Sequence, residues 1–185
     1  MNNYGRIYGP YSGGRYDTIY LSQSTHDARM DVFGSRLSKE KPDVFVSHKN
    51  EDRDDAEDVA KTIAASGLKV YLDIWDHNVN DGPELVDYIE SIIKNSKSLI
   101  AVVSRNTVTS WWVPLEIGIA ITREKCIGTY STTAYTAGFP SYLEKWPILK
   151  NSEDLKKWCA AQKSNPLPNQ FYRTIRMSRP DLFQR

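Results

Sequence analysis

Residues 44–73, VFVSHKNEDRDDAEDVAKTIAASGLKVYLD, read as strand, helix and strand in succession. Val44-Phe-Val-Ser47 is a short apolar run of buried-strand character, with a proline before it and a polar break after it. Ala56, Val59, Ala60, Ile63 and Ala64 then keep the spacing of one helical face. Asn50 is placed to cap that helix, Glu51 and Asp52 suit its first turn, and Gly67 suits its end. Leu68-Lys-Val-Tyr-Leu-Asp73 is the second strand.

The pattern repeats further along. A polar loop, Ile74-Trp-Asp-His-Asn-Val-Asn-Asp-Gly82, leads to Pro83, a residue suited to a first helical turn. The helix after it carries Leu85, Ile89, Ile92 and Ile93 as its stripe. Ser98-Leu-Ile-Ala-Val-Val-Ser104 is apolar almost throughout, which predicts a central strand. Next come a helix around Trp112 and Glu116, and a fourth strand, Cys126-Ile-Gly-Thr-Tyr130. Residues 131–145 read as a loop with at most a short helix. Trp146-Pro-Ile-Leu149 suits an edge strand, where proline is tolerated. Ser152 to Gln162 reads as a capped helix.

Strands alternating with helices at these lengths predict an α/β fold. The simplest topology is a flavodoxin-like, doubly wound, mainly parallel five-stranded sheet with helices on both faces. Residues 41–163 hold this domain. Residues 1–40 precede it as an arm rich in Gly, Tyr and Arg, read as irregular or partly helical. Residues 164–185 follow as a tail, read as irregular from its prolines, Pro166, Pro168 and Pro180.

Composition narrows the function classes. The chain has 185 residues with a net charge of +1, which gives no electrostatic case for nucleic acid or an anionic membrane as partner. The interleaved Tyr and Arg of the arm offer a stacking surface for bases, but such a stretch more often packs on its own domain or a neighbour. No apolar run reaches membrane-spanning length and no export signal is evident, so a cytoplasmic protein is expected. Cys126 and Cys159 lack ligand or redox spacing and read as reduced, inert thiols. No cluster has metal-ligand spacing, and there is no Gly-rich phosphate loop; neither a metal nor a prosthetic cofactor is expected.

The residue that stands out is Glu116. On a helix it shares a face with Trp112, Leu115, Ile119 and Ala120, a carboxylate on an apolar stripe. Burying an acid costs several kcal/mol unless it is paired. Glu116 is therefore either a structural acid, paired with Arg123 or Lys125, or a working group. Doubly wound sheets bind ligands at the carboxyl ends of their strands. There the chain places Ser47-His48-Lys49-Asn50, Asp73 to Gly82, and Ser104 through Glu116. His48 fits a hydrogen-bonded strand-end residue as well as a base, and Lys49 fits a surface charge as well as an anion contact. Trp112 fits core as well as a substrate platform.

Pro42-Asp-Val-Phe-Val-Ser-His48, Leu72-Asp-Ile-Trp75 through Gly82, and Trp112-x-x-x-Glu116 occur in that order. Together they resemble the first box, the BB loop and the WxxxE signature of TIR (Toll/interleukin-1 receptor) domains, in particular of bacterial members that consume NAD+. The resemblance runs from about Lys41 to Ala120, and more weakly to about residue 162. Two departures are visible: the loop from Asp73 to Gly82 is slightly longer than in animal enzymatic relatives, and Asn50 replaces a basic residue sometimes found there.

The resemblance implies an NAD+ glycohydrolase or cyclase with Glu116 as the catalytic residue. Ser47, His48, Lys49, Asn50, Trp75, Asn80 and Trp112 are then the candidate contacts to NAD+, which is substrate rather than cofactor. Nicotinamide is cationic in NAD+ and departs neutral, so the protonating acid of ordinary glycoside hydrolysis is unnecessary. One carboxylate would hold the ribose hydroxyls and offset the charge of an oxocarbenium-like transition state. Trp112 or Trp75 would offer a flat apolar surface, and Lys49 would meet the diphosphate. The resemblance further implies self-association through TIR–TIR contacts of loop 74–82. It also implies a Thoeris-type role in anti-phage defence, where a nucleotide signal, ADP-ribose or a cyclic or otherwise modified ADP-ribose, reaches a separate effector. Two other readings stand beside it. One is a non-enzymatic TIR interaction module, disfavoured by Glu116; the other is a nucleoside deoxyribosyltransferase-like enzyme, disfavoured by the first box.

Overall fold

A computed structural model describes residues 18–20, 41–72, 83–131, 140–164 and 168–183. Its strands are β1 (Thr18–Tyr20), β2 (Val44–Ser47), β3 (Val70–Leu72), β4 (Ser98–Val103), β5 (Cys126–Ser131) and β6 (Ile148–Leu149). The helices are α1 (Arg53–Ala65), α2 (Pro83–Asn95), α3 (Trp112–Thr122), α4 (Ser152–Lys163) and α5 (Pro168–Ser178). Every neighbouring pair of strands is parallel, in the order β1-β3-β2-β4-β5-β6. From β2 onward that is the flavodoxin-like order expected.

Alternation along each strand divides the core in two. Val44, Val46, Val70, Leu72, Ile100 and Val102 face one layer, with α1, α4 and α5. Phe45, Tyr71, Leu99, Ala101 and Val103 face the other, with α2 and α3. Phe45 and Tyr71 are paired across β2 and β3, and their rings stack at 5.2 Å. β4 is buried along its whole length, as its unbroken apolar run predicted.

Local chemistry explains the ends. Gly67 adopts φ +78° after α1, a conformation other residues rarely accept, and its N–H caps the Ala64 carbonyl at 2.8 Å. Asn151 caps α4 by accepting from the Asp154 N–H at 2.9 Å. Pro147 stands just before β6, and its carbonyl accepts from the Thr129 N–H at 2.9 Å, so the missing donor costs no ladder bond there.

The structure differs from the sequence reading in four places. Thr18–Tyr20, inside the arm read as irregular or partly helical, adds a sixth strand beside β3, because an open parallel edge can pair with any extended segment. The tail is not irregular: Pro168 opens α5 in a position where its missing N–H is harmless, and Phe171, Ile175 and Leu182 enter the first core layer. Asn50 does not cap α1; it begins a 3-10 turn, Asn50–Asp52, and the helix proper follows it. Finally, α3 buries Val113, Glu116, Ile117 and Ala120, while Leu115 is 40% exposed and Trp112 and Ile119 are half-buried. The i, i+3, i+4, i+7 stripe is thus one position away from the one expected.

Candidate functional site

The chain leaves β2 toward β3 on one side and later crosses to β4 on the other, so the switch point lies between the ends of β2 and β4. Ser47 ends β2, His48 follows it, and both are buried. Ser104 follows β4 and is also buried, and a 3-10 turn, Asn106–Thr109, carries the chain into α3. Glu116 lies on the buried face of α3 at 1% exposure.

The Ser47 hydroxyl donates a hydrogen bond to Glu116 Oε2. The expected structural partners of Glu116 are engaged elsewhere. Arg123 pairs with Glu90. Lys125 Nζ donates to the Lys94 and Ser96 carbonyls, each at 2.7 Å. Of the two readings of this acid, the ion pair with Arg123 or Lys125 is therefore not formed.

Lys49 stands at the same edge. Its ammonium donates to Thr109 Oγ1 at 2.8 Å and pairs with Glu51 at 3.0 Å. Asn50 is exposed at the start of the following turn. Trp112 is half-buried against the second core layer, so at least part of its indole is core. Trp75 and Asn80 lie outside the described residues, as does loop 74–82. Ser47, Lys49 and Glu116 are thus joined to one edge by direct bonds of their own.

A second cluster there was missed from sequence. Asp52, buried, accepts from Ser104 Oγ at 2.6 Å and from Asn106 Nδ2 at 2.7 Å. The sequence pattern makes Asp52 a first-turn acid of α1, and its charge is one cause, after burial, that pushes the Asp55 carboxyl up. The only signal was the polar run Ser104-Arg-Asn-Thr after an apolar strand, which marks a break without naming a partner.

This edge can hold a polyhydroxylated or anionic ligand. It combines a carboxylate positioned by a hydroxyl, an ammonium, and aromatic surface at the start of α3. Trp111 there is 89% exposed, beside exposed Val108 and Leu115. Among the described residues no group of three or more His, Cys, Asp or Glu is arranged to hold a metal. Nor is any described helix long and apolar enough to cross a membrane.

Residues 44–129 match the family model of the TIR domain. No curated protein matches the chain. A metazoan TIR-STING receptor from C. gigas is similar in structure, with TM-score 0.50 and 18% identity over 63% of this chain and 39% of that one. The present chain therefore spans well under half of that receptor. The TIR domain of a Toll-related receptor from Hydra magnipapillata gives TM-score 0.46 at 19% identity, over 74% of this chain and 99% of that one.

Proposed function

We propose that the protein, whose residues 44–129 match the family model of the TIR domain, cleaves the bond between nicotinamide and ribose in NAD+. The observation that carries this reading is the buried Ser47–Glu116 pair at the switch point of the sheet. Glu116 accepts from the Ser47 hydroxyl at the edge where such sheets bind ligands.

Glu116 would bear on the ribose, and Ser47 fixes the orientation of its carboxylate. As the bond to the cationic nicotinamide breaks, positive charge grows on the anomeric carbon and ring oxygen, and the carboxylate offsets it. The electron pair leaves with nicotinamide, which departs neutral without a protonating acid. Water attacking the anomeric carbon gives ADP-ribose; an internal nucleophile gives a cyclic product. Lys49 would neutralise the diphosphate. By the resemblance to bacterial relatives, the product would be a nucleotide signal to a separate effector in anti-phage defence, and loop 74–82 would bring protomers together.

One observation favours a binding module instead: Val108, Trp111 and Leu115 expose apolar surface at the rim of the same edge. A single assay separates the readings. Purified protein, as a concentration series, is incubated with NAD+ or with a deoxynucleoside plus free base, beside Glu116→Gln. Nicotinamide release that rises with protein concentration and falls about a hundredfold or more in the variant is expected. NAD+ intact at every concentration, with extract of phage-infected cells present, overturns the enzyme reading. Base exchange on the deoxynucleoside would replace it with transferase chemistry.

A further inference from the structure

We propose that Asp52 is a positioning residue of this site, which holds the β4–α3 connection against the end of β2 and thereby sets where the Lys49 ammonium stands. The inference rests on the dinucleotide reading above and deepens it.

An aspartate at the N-cap of a helix ordinarily caps that helix. Asp52 stands at this position before α1 and makes no side-chain cap bond to it. Its oxygens are turned across the crevice instead. Oδ2 accepts from Ser104 Oγ at 2.6 Å and Oδ1 from Asn106 Nδ2 at 2.7 Å, with Thr107 Oγ1 at 3.5 Å, the limit of a bond. The same side chains fold the connection on itself. Ser104 Oγ accepts from the Asn106 N–H at 2.9 Å, and Thr107 Oγ1 accepts from the Ser104 N–H at 3.0 Å. One buried carboxylate thus organises residues 104–107.

Asn106 passes that order on. Its carbonyl accepts from Thr109 Oγ1 at 3.1 Å, and the same oxygen of Thr109 accepts from Lys49 Nζ at 2.8 Å. The route runs from Asp52 through Asn106 and Thr109 to Lys49, and it returns to within a few residues of its start. Bonds to a charged acceptor are stronger than neutral ones, and stronger still in a buried site, so Asp52 is the anchor of this route.

The edge is therefore held at two independent points. Ser47 fixes Glu116 from β2, and Asp52 fixes the connection that carries Thr109. On a dinucleotide the two points serve different parts, the carboxylate at the ribose and the ammonium at the diphosphate. A contact remote from the reacting carbon, made equally in ground and transition states, changes KM and leaves kcat in place. A residue acting through Lys49 shares that signature.

The test compares Asp52→Ala, Asp52→Asn, Lys49→Met and the double variant Asp52→Ala/Lys49→Met in the full chain. It reads KM and kcat for nicotinamide release, with amide exchange over residues 104–109. Asp52→Ala is expected to raise KM roughly tenfold with kcat within about threefold. Asp52→Asn, which keeps an acceptor for the Asn106 amide, should recover most of the loss, and the double variant should be no worse than Lys49→Met alone. Exchange should quicken at 104–109 and not along β4. If Asp52→Ala does not fold, Ser104→Ala removes one bond from the opposite side and is held to the same expectations. An unchanged KM, a fall in kcat as large as the rise in KM, or additive effects in the double variant overturn the proposal. Wild-type protein that releases no nicotinamide would instead refute the dinucleotide reading, and exchange at 104–109 would still decide whether Asp52 holds the connection.

Discussion

Ser47, the last residue of β2, donates its hydroxyl to the carboxylate of Glu116, 69 positions away on α3. Both side chains are buried, so the bond is made out of reach of water. The bond goes with the roll of α3. With Glu116 turned toward β2, Val113, Ile117 and Ala120 follow it inward, and Leu115 is left at the surface. The outer face of α3 is itself apolar at Leu115 and Ile121, so apolarity alone does not select the face that the helix buries.

Ser47→Ala tests that contact without adding bulk. Hydrogen bonds to a charged group contribute about 1.5–3 kcal/mol, and a loss of that size in unfolding free energy is expected from denaturant titration. Nicotinamide release should fall as well, because the carboxylate loses the group that orients it. Full activity together with a loss below about 0.5 kcal/mol would show that the bond neither stabilises the fold nor positions Glu116.

Two glycines give opposite expectations. At Gly128 on β5, an added Cβ would stand 2.8 Å from Ile100 Cδ1 and 3.0 Å from Trp158 Nε1, both belonging to buried side chains. Gly128→Ala should cost about 1–3 kcal/mol by overpacking. At Gly118 inside α3, an added Cβ meets nothing within 4 Å. Gly118→Ala should stabilise by about 0.5–1 kcal/mol, the ordinary helix-interior difference. Equal effects at the two positions, measured by the same denaturant titration, would contradict the packing described for β5.

What could be read from the sequence follows from how local each signal is. The strand runs at Val44 and Ser98 and the stripes of α1 and α2 carry their period within a few turns, so the layers and strand order were legible. Glu116 was legible because an acid on an apolar helix violates a local rule. The roll of α3 was not, since α3 is apolar on nearly every side and the partner that Glu116 meets, Ser47, lies 69 positions away. Asp52 was missed for the same reason: a first-turn acid looks identical whether it serves its own helix or Ser104 and Asn106 across the crevice. The tail misled because its prolines, read as breaks, hide Phe171 and Ile175 four apart on one face.

That tail makes the last prediction. Phe171, Ile175 and Leu182 are buried in the layer that also holds Trp158, Cys126 and Cys159, and Arg179 ties the segment to Asp154 at 2.8 Å. Burying each large apolar side chain contributes about 1.5–3 kcal/mol, so the three together reach roughly 4.5–9 kcal/mol. That is comparable to the whole stability of a domain this size, about 5–15 kcal/mol. A chain ended at Lys163 should therefore lose its cooperative unfolding transition. The thiols report the change directly. Burial pushes both Cys126 and Cys159 up to about 11 from the ordinary 9.0, so in the full chain they should resist alkylation at neutral pH. In the shortened chain they should react at the rate of free cysteine. The same shift gives the full chain an alkaline limit. Stability from the protonated thiols is complete below pH 9.0 and is lost as pH rises toward about 11, because the unfolded thiols ionise first. Protected thiols and an intact transition in the shortened chain would show that α5 is dispensable to the first core layer.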